Sequence, residues 1–205
     1  MMGCMSVPPR PLFVRILRTL GGLVLGGLLF LVAAYAYVHG GGNFHAVKPG
    51  EVYRSSWLGG EGLDKAVDRL GVKSVLNLCG PQPGAAWYEG EVAVSRRRGL
   101  SFVNLSLSAN TELDAAQVAQ LTKALRDAPK PLLIHCRAGS DRTGLAAALF
   151  VAAHGGTYRE AQEQLSLYYG HFPYFGSKSV AMDITLQRFY ESVAGRQVVS
   201  QDLAR

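Results

Sequence analysis

The stretch Pro131–Gly144, PLLIHCRAGSDRTG, followed by the apolar run LAAALFVAA at 145–153, decides the reading of this 205-residue chain. A short apolar strand runs into Cys136, the chain crosses five residues to Arg142, and a helix begins. Five residues curling between a strand end and a helix start aim successive backbone N–H groups at one point on the positive end of the helix dipole, which makes an anion nest of phosphate size. Cys136, at the first position, feels the same field, so its thiol is expected to ionise below the usual ~8.5 and to be a nucleophile at neutral pH. Arg142 supplies a planar fork that holds two phosphate oxygens while charge redistributes. The amides of Arg137, Ala138, Gly139, Ser140, Asp141 and Arg142 complete the expected binding loop. The blander alternative is a buried cysteine at a strand end beside an exposed arginine. The strand-before, helix-after setting favours the nest.

Outward from this loop, strands and helices alternate. VYR (52–54) reads as a strand, and a turn at Gly59 leads into a helix ending at Leu70, with Gly71 as its C-terminal cap. KSVLNL (73–78) is a second strand, closed by Cys79, and a helix over 85–98 ends in Arg96, Arg97 and Arg98. Those arginines either recruit an acidic substrate or are cations favoured by the helix dipole. LSFVNLSL (100–107) alternates as a strand does, and Thr111–Asp114 has capping-box spacing ahead of a helix over 117–128. After the loop, Thr157 caps a helix expected to reach Tyr169. An aromatic loop follows in which His171, Tyr174 and Phe175 either line a pocket or pack helices together, and a last helix is expected over 178–193 with a frayed tail at 196–205. This order predicts an α/β fold, a short, mainly parallel sheet of four to five strands flanked by helices, with the nest at the carboxyl end of a strand.

The first 46 residues are of another kind. Residues 1–18 carry Arg10, Arg15 and Arg18 and no acid, and 19–38 (TLGGLVLGGLLFLVAAYAYV) carry no charge. Twenty such residues span ~30 Å as a helix, enough for a bilayer core. We expect a single-pass anchor over 19–38 with a cytoplasmic segment at 1–18, the arginines placing the later domain across the membrane on the periplasmic side. The alternative is a signal peptide cleaved near Ala36. Residues 39–46, rich in glycine, are expected to be a flexible linker, whose His39 and His45 make at most a weak metal pair, and 47–195 the single compact domain. Removing the three N-terminal arginines leaves 18 basic against 15 acidic residues, about +3, a balance that does not argue for nucleic acid. No ligand cluster calls for a metal, and no cofactor is expected.

The His135-Cys136-x5-Arg142-Thr143-Gly144 signature resembles that of the cysteine-dependent protein tyrosine and dual-specificity phosphatases. The upstream stretches KPGEVYRSS (48–56) and LGVKSVLNL (70–78) resemble the opening of the atypical dual-specificity type found in bacteria, plants and fungi. The resemblance covers about residues 47–195. It implies attack by Cys136 on phosphorus, a phosphocysteine hydrolysed by water, and His135 as a support for the cysteine. Thr143 is expected to hydrogen-bond the thiolate. The leaving-group acid departs from a simple carry-over. Asp114, with Glu112 behind it, occupies the loop where the family usually keeps an aspartate, yet it already suits a capping box. Asp141, directly before Arg142, resembles the loop aspartate of myotubularin and Sac-type phosphoinositide phosphatases, and it is preferred. Cys79, at a neighbouring strand end, is a candidate redox partner for Cys136, the alternative being an inert buried thiol. Cys4 lies before the apolar span. Phosphoproteins and inositol phosphates both stay open as substrates. So does a phosphate-recognition module without turnover, or a sulfur-transfer or arsenate-reducing enzyme on a similar loop.

Overall fold

The computed structural model describes residues 12–174 and 176–203. Cys4, Arg10 and Phe175, named above, lie outside the described residues, as do the side chains of Arg15 and His39. The chain forms two units divided after Gly40. The first holds helix α1, Leu12–Gly40, in which Ile16–Ala36 has a mean hydropathy of 2.1 and no buried residue, long and apolar enough by length and composition to cross a membrane. The expected span of 19–38 sits inside this helix, which extends it at both ends.

The second unit carries a five-stranded sheet in the order β1-β2-β5-β3-β4. β1 (His45–Lys48) lies antiparallel to β2 (Val52–Ser56). From β2 onward through β5 (Leu132–Cys136), β3 (Ser74–Asn77) and β4 (Ser101–Asn104), every pairing is parallel. β5 sits in the middle with all five residues buried, as a strand covered on both faces must be. Its side chains alternate. Leu132, Ile134 and Cys136 enter the larger core with α4 (Ala115–Asp127), α5 (Asp141–Ala153) and α7 (Val180–Leu203). Leu133 joins the second core with α2 (Gly59–Leu70) and α3 (Ala86–Arg98), and His135 faces Trp87 and Glu91 of α3. α5 is buried from Thr143 through Phe150, so the helix that begins in the loop is also the middle of the fold.

Several expected boundaries move. The glycine-rich linker at 39–46 is not a free tether: His39 and Gly40 end α1, and Asn43 is buried in a left-handed turn (φ 47°) before β1 starts at His45. Hydrogen bonds to two distant carbonyls hold Asn43 there, and His45 contacts Asn43 through its Nε2. Asp114, not Thr111, is the N-cap of α4, in a reciprocal box with Gln117. The helix capped by Thr157 is the short α6 (Tyr158–Gln162), after which the chain turns Leu165 into the core and ends in a 3-10 turn at Leu167–Tyr169. α7 runs to Leu203 rather than stopping at 193, for no proline interrupts it. Arg97 and Arg98 pair with Asp64 and Asp68 of α2, which favours the structural reading of that basic cluster.

α2 and α3 cross at a glycine pair. A Cβ on Gly90 would come within 2.7 Å of the Gly60 nitrogen, and one on Gly60 within 3.1 Å of the Gly90 oxygen. Gly90→Ala is therefore expected to force the helices apart and lower stability by about 1–3 kcal/mol, the usual scale of overpacking. The urea unfolding midpoint of the variant, compared with the parent at unchanged slope, measures it.

Candidate active site

A loop that turns its amides outward turns its carbonyl oxygens inward, where buried acceptors need donors. Two side chains from the start of the domain meet that need. Arg54 of β2, fully buried, donates from Nη2 to Gly139 O (2.9 Å) and Ser140 O (3.4 Å), and from Nη1 to the main-chain and side-chain oxygens of Gln164. Its guanidinium also lies 3.7 Å from the Tyr169 ring centre. Burial pulls the Arg54 pKa down to about 10, against the opposing pull of Tyr169 and Cys136, so it stays a cation at neutral pH. Asn43 Nδ2 donates to Ala138 O (3.0 Å) and Tyr169 O (2.8 Å). Gly139 makes the turn with φ 73°, and a Cβ there would meet the backbone of Ser55 and Ser56 at 2.6 Å, so no larger residue fits.

With its carbonyls held from behind, the loop offers its front. Cys136 ends β5, 2% exposed. Among the described residues, no amide from Ala138 to Ser140 donates to a backbone carbonyl, and the first-turn amides of α5 have no intrahelical partner. Arg142 is clamped from the side: Nη1 donates to Leu78 O (3.3 Å) after β3 and Leu107 O (3.2 Å) after β4, while its buried Nε has no partner. Arg137 is exposed, its guanidinium 5.7 Å from the Trp57 ring centre, and Trp57 stacks on Trp87 at 4.6 Å. Small Ala138, Gly139 and Ser140 complete the loop. The Thr143 hydroxyl is buried without a hydrogen bond, so the contact expected from it to the Cys136 sulfur is not made.

His135 Nε2 lies 3.1 Å from Glu91 Oε2, within charge-pairing distance though angled off a hydrogen bond. Glu91, itself buried, accepts from the amides of Leu58 and Gly59 with its other oxygen and so caps α2. Cys79 follows β3 against the Arg137 amide and the Arg142 side chain. Burial pushes its thiol pKa up, Arg142 opposes this, and the nearby Cys136 adds to it. Both thiols are free.

The two aspartates part company. Asp114 is exposed and spent on its capping box, and Glu112 pairs with Arg188. Asp141 begins α5 inside the loop, its Oδ1 2.7 Å from His171 Nδ1, and His171 Nε2 is 2.9 Å from Asp183 Oδ2. Of the three residues of the aromatic loop weighed in the sequence, His171 thus reaches the nest and Tyr174 is exposed. Arg54, Asn43, Gln164, Glu91 and Asp183 escaped the sequence reading. The one signal was Arg54, a charge next to Val52 and Tyr53 in a short strand.

Comparison with known proteins bears on the family and the fold. The model of the tyrosine phosphatase family matches residues 18–163. Similar solved structures include TpbA from P. aeruginosa (23% identity, 71% of this chain and 83% of that one, TM-score 0.53). The core catalytic domain of the PP-IP phosphatase SIW14 from S. cerevisiae is likewise similar (23%, 76% and 92%, TM-score 0.56), as is PTPMT1 (13%, 76% and 98%, TM-score 0.58). At these identities the structures speak to fold. No curated protein matches.

Burial alone would lower the pKa of His171, but the hydrogen bonds and charges of Asp141 and Asp183 outweigh it and raise it to about 9. The folded form thus holds a proton that the unfolded chain releases near 6.5. The stabilisation is complete below about 6.5, declines as pH rises, and is lost above about 9. The thermal midpoint of the parent should therefore fall more between pH 6 and pH 9.5 than that of His171→Gln.

Proposed function

The chain belongs to the tyrosine phosphatase family, and from that premise we propose a membrane-anchored, cysteine-dependent phosphatase that hydrolyses phosphomonoesters of proteins, phosphotyrosine foremost, through a phosphocysteine. Cys136 attacks phosphorus, the leaving oxygen takes a proton from Asp141, and water then cleaves the phosphorus–sulfur bond. The loop amides and Arg142 hold the equatorial oxygens, so catalysis is mostly placement and electrostatics. One observation carries this reading: Arg142 is fixed by two carbonyls with a buried, unpartnered Nε, beside a loop that follows the cysteine and whose amides from Ala138 to Ser140 have no backbone acceptor.

Arg137 and Arg142 are the loop's only cations, which suits a single phosphate, and the Trp57–Trp87 stack under Arg137 gives an aryl ester a wall to lie against. The likeness to a PP-IP phosphatase supports inositol phosphates as the second reading on the same mechanism. Helix α1 supports single-pass anchoring, and the arginines ahead of the uncharged stretch 19–38 support a domain on the periplasmic side; cleavage near Ala36 would instead release it. His135 supports the loop through Glu91.

Phosphate release by the full chain in detergent, in reducing buffer without metal, tests the reading on phosphotyrosine, phosphoserine and phosphothreonine peptides and inositol phosphates. We expect phosphotyrosine to rank first, Cys136→Ser to abolish turnover, and Arg142→Met to lower kcat by about 10²–10³-fold. Phosphate binding without turnover on any substrate would make the domain a recognition module, and turnover resistant to vanadate would point to other cysteine chemistry.

Cys79 is proposed as the redox partner of Cys136: peroxide oxidises one thiolate to a sulfenic acid, and the other thiol displaces water to form the disulfide. Peroxide inactivation of the parent should be reversed by dithiothreitol, with a Cys79–Cys136 cross-link in non-reducing mass maps. Absence of that cross-link from the inactivated enzyme removes the proposal.

A further inference from the structure

His171 is held between two carboxylates by three separate elements. Asp141 belongs to the first turn of α5, His171 follows the 3-10 turn at Leu167–Tyr169, and Asp183 belongs to the first turn of α7. The imidazole has no solvent exposure, while Asp141 and Asp183 keep 30% and 22% of theirs. The His171 amide donates back to Ser166 O (3.1 Å), and Gly170 supplies the left-handed residue (φ 80°) that turns the ring inward. Among the described residues, Asp141 and Asp183 are the charged groups that act on the ring.

A neutral imidazole donates from one nitrogen only. Here both nitrogens meet carboxylate oxygens, at 2.7 and 2.9 Å, so the trio is fully hydrogen-bonded only when it holds one proton beyond a neutral ring and two carboxylates. Along the hydrogen bond to Asp141 that proton has two homes. On Nδ1 it makes an imidazolium beside the Asp141 carboxylate; on Asp141 it makes a carboxylic acid that donates to a neutral ring. Both forms carry the same net charge, and a shift across one short hydrogen bond converts them. An ordinary carboxyl is ionised at neutral pH and has no proton to give.

We infer that His171, set by Asp183, is the positioning residue that keeps Asp141 loaded with the leaving-group proton. The inference rests on the reading of Asp141 as the acid. When Cys136 displaces the leaving oxygen, that oxygen takes the proton from Asp141 and departs as the alcohol, and the trio is left one proton short. When water attacks the phosphocysteine, its proton returns through Asp141 to the trio, phosphate leaves, and Cys136 is regenerated as thiolate. No proton or electron is gained or lost over the cycle. The proton affinity that the two carboxylates confer on His171 keeps the trio loaded through the neutral range.

The test uses the full chain in detergent with two aryl esters, a phosphotyrosine peptide, whose leaving group needs protonation, and p-nitrophenyl phosphate, whose leaving group needs little. Asp141→Asn and His171→Gln are each expected to lower kcat on the peptide about 10²-fold with KM within about twofold, and to lower p-nitrophenyl phosphate turnover by a clearly smaller factor, about tenfold or less. The double variant should be no worse than Asp141→Asn. Asp183→Asn keeps a hydrogen-bonding side chain on α7 and removes one charge, so it should shift the basic limb of kcat on the peptide to lower pH by about one unit. Nitrogen-15 titration of the His171 ring should show a midpoint above pH 8 in the parent and a lower one in Asp183→Asn. Equal loss on both esters in His171→Gln, or full activity on both, overturns the inference, as does a parent midpoint below pH 7. If Asp141→Asn itself spares the peptide, the acid assignment of Asp141 fails, an outcome distinct from silence of the histidine variant alone.

Discussion

A phosphate nest cannot be built one-sided. Each amide that points at the anion belongs to a peptide unit whose neighbours point oxygen the other way, and in this protein those oxygens fall inside the domain. Arg54 and Asn43 meet Ala138, Gly139 and Ser140 there, and the cation of Arg54 is tolerated because carbonyls and an aromatic face surround it. Much of the second unit is arranged around this need: β2 lies beside β5 in register so that Arg54 arrives under the loop, and α6 ends at Gln162 so that Gln164 can turn its oxygens to the same guanidinium.

The front of the loop is set by the sheet rather than by the loop itself. β3 and β4 end level with β5, and the carbonyls just beyond them, Leu78 and Leu107, grip Arg142. The other face of β5 contributes through His135, which reaches Glu91, and Glu91 in turn caps the helix after β2. Alternation along one five-residue strand thus sends the nucleophile to one core and its support to the other.

The nest was legible because its parts are contiguous: strand, Cys136, Arg142 and helix lie within some twenty residues, and the order alone carries the chemistry. The parallel sheet followed from the alternation of elements, and the capping of α2 by Gly71 and of α6 by Thr157 from single residues. What was not legible spans long separations. Arg54 meets Gly139 across 85 residues and Asn43 meets Tyr169 across 126, and nothing local marks either pair. Asn43 was hidden further by its glycine neighbours, which read as slack chain until a buried hydrogen-bonding site took hold of it. His171 was noticed, but only the fold could show that it reaches Asp141 rather than merely filling space among helices.

The two-carbonyl clamp on Arg142 has an entropic side. A free arginine side chain gives up about 2 kcal/mol of rotamer freedom when a ligand immobilises it. Here that loss occurs when the chain folds, because the carbonyls after β3 and β4 fix the guanidinium before any phosphate arrives. Binding then orders little in the protein, and what the anion displaces is mainly water. The same fixation narrows choice: a guanidinium that does not swing cannot follow a displaced or second phosphate, so selectivity for the shape of the ester falls to the walls around the nest.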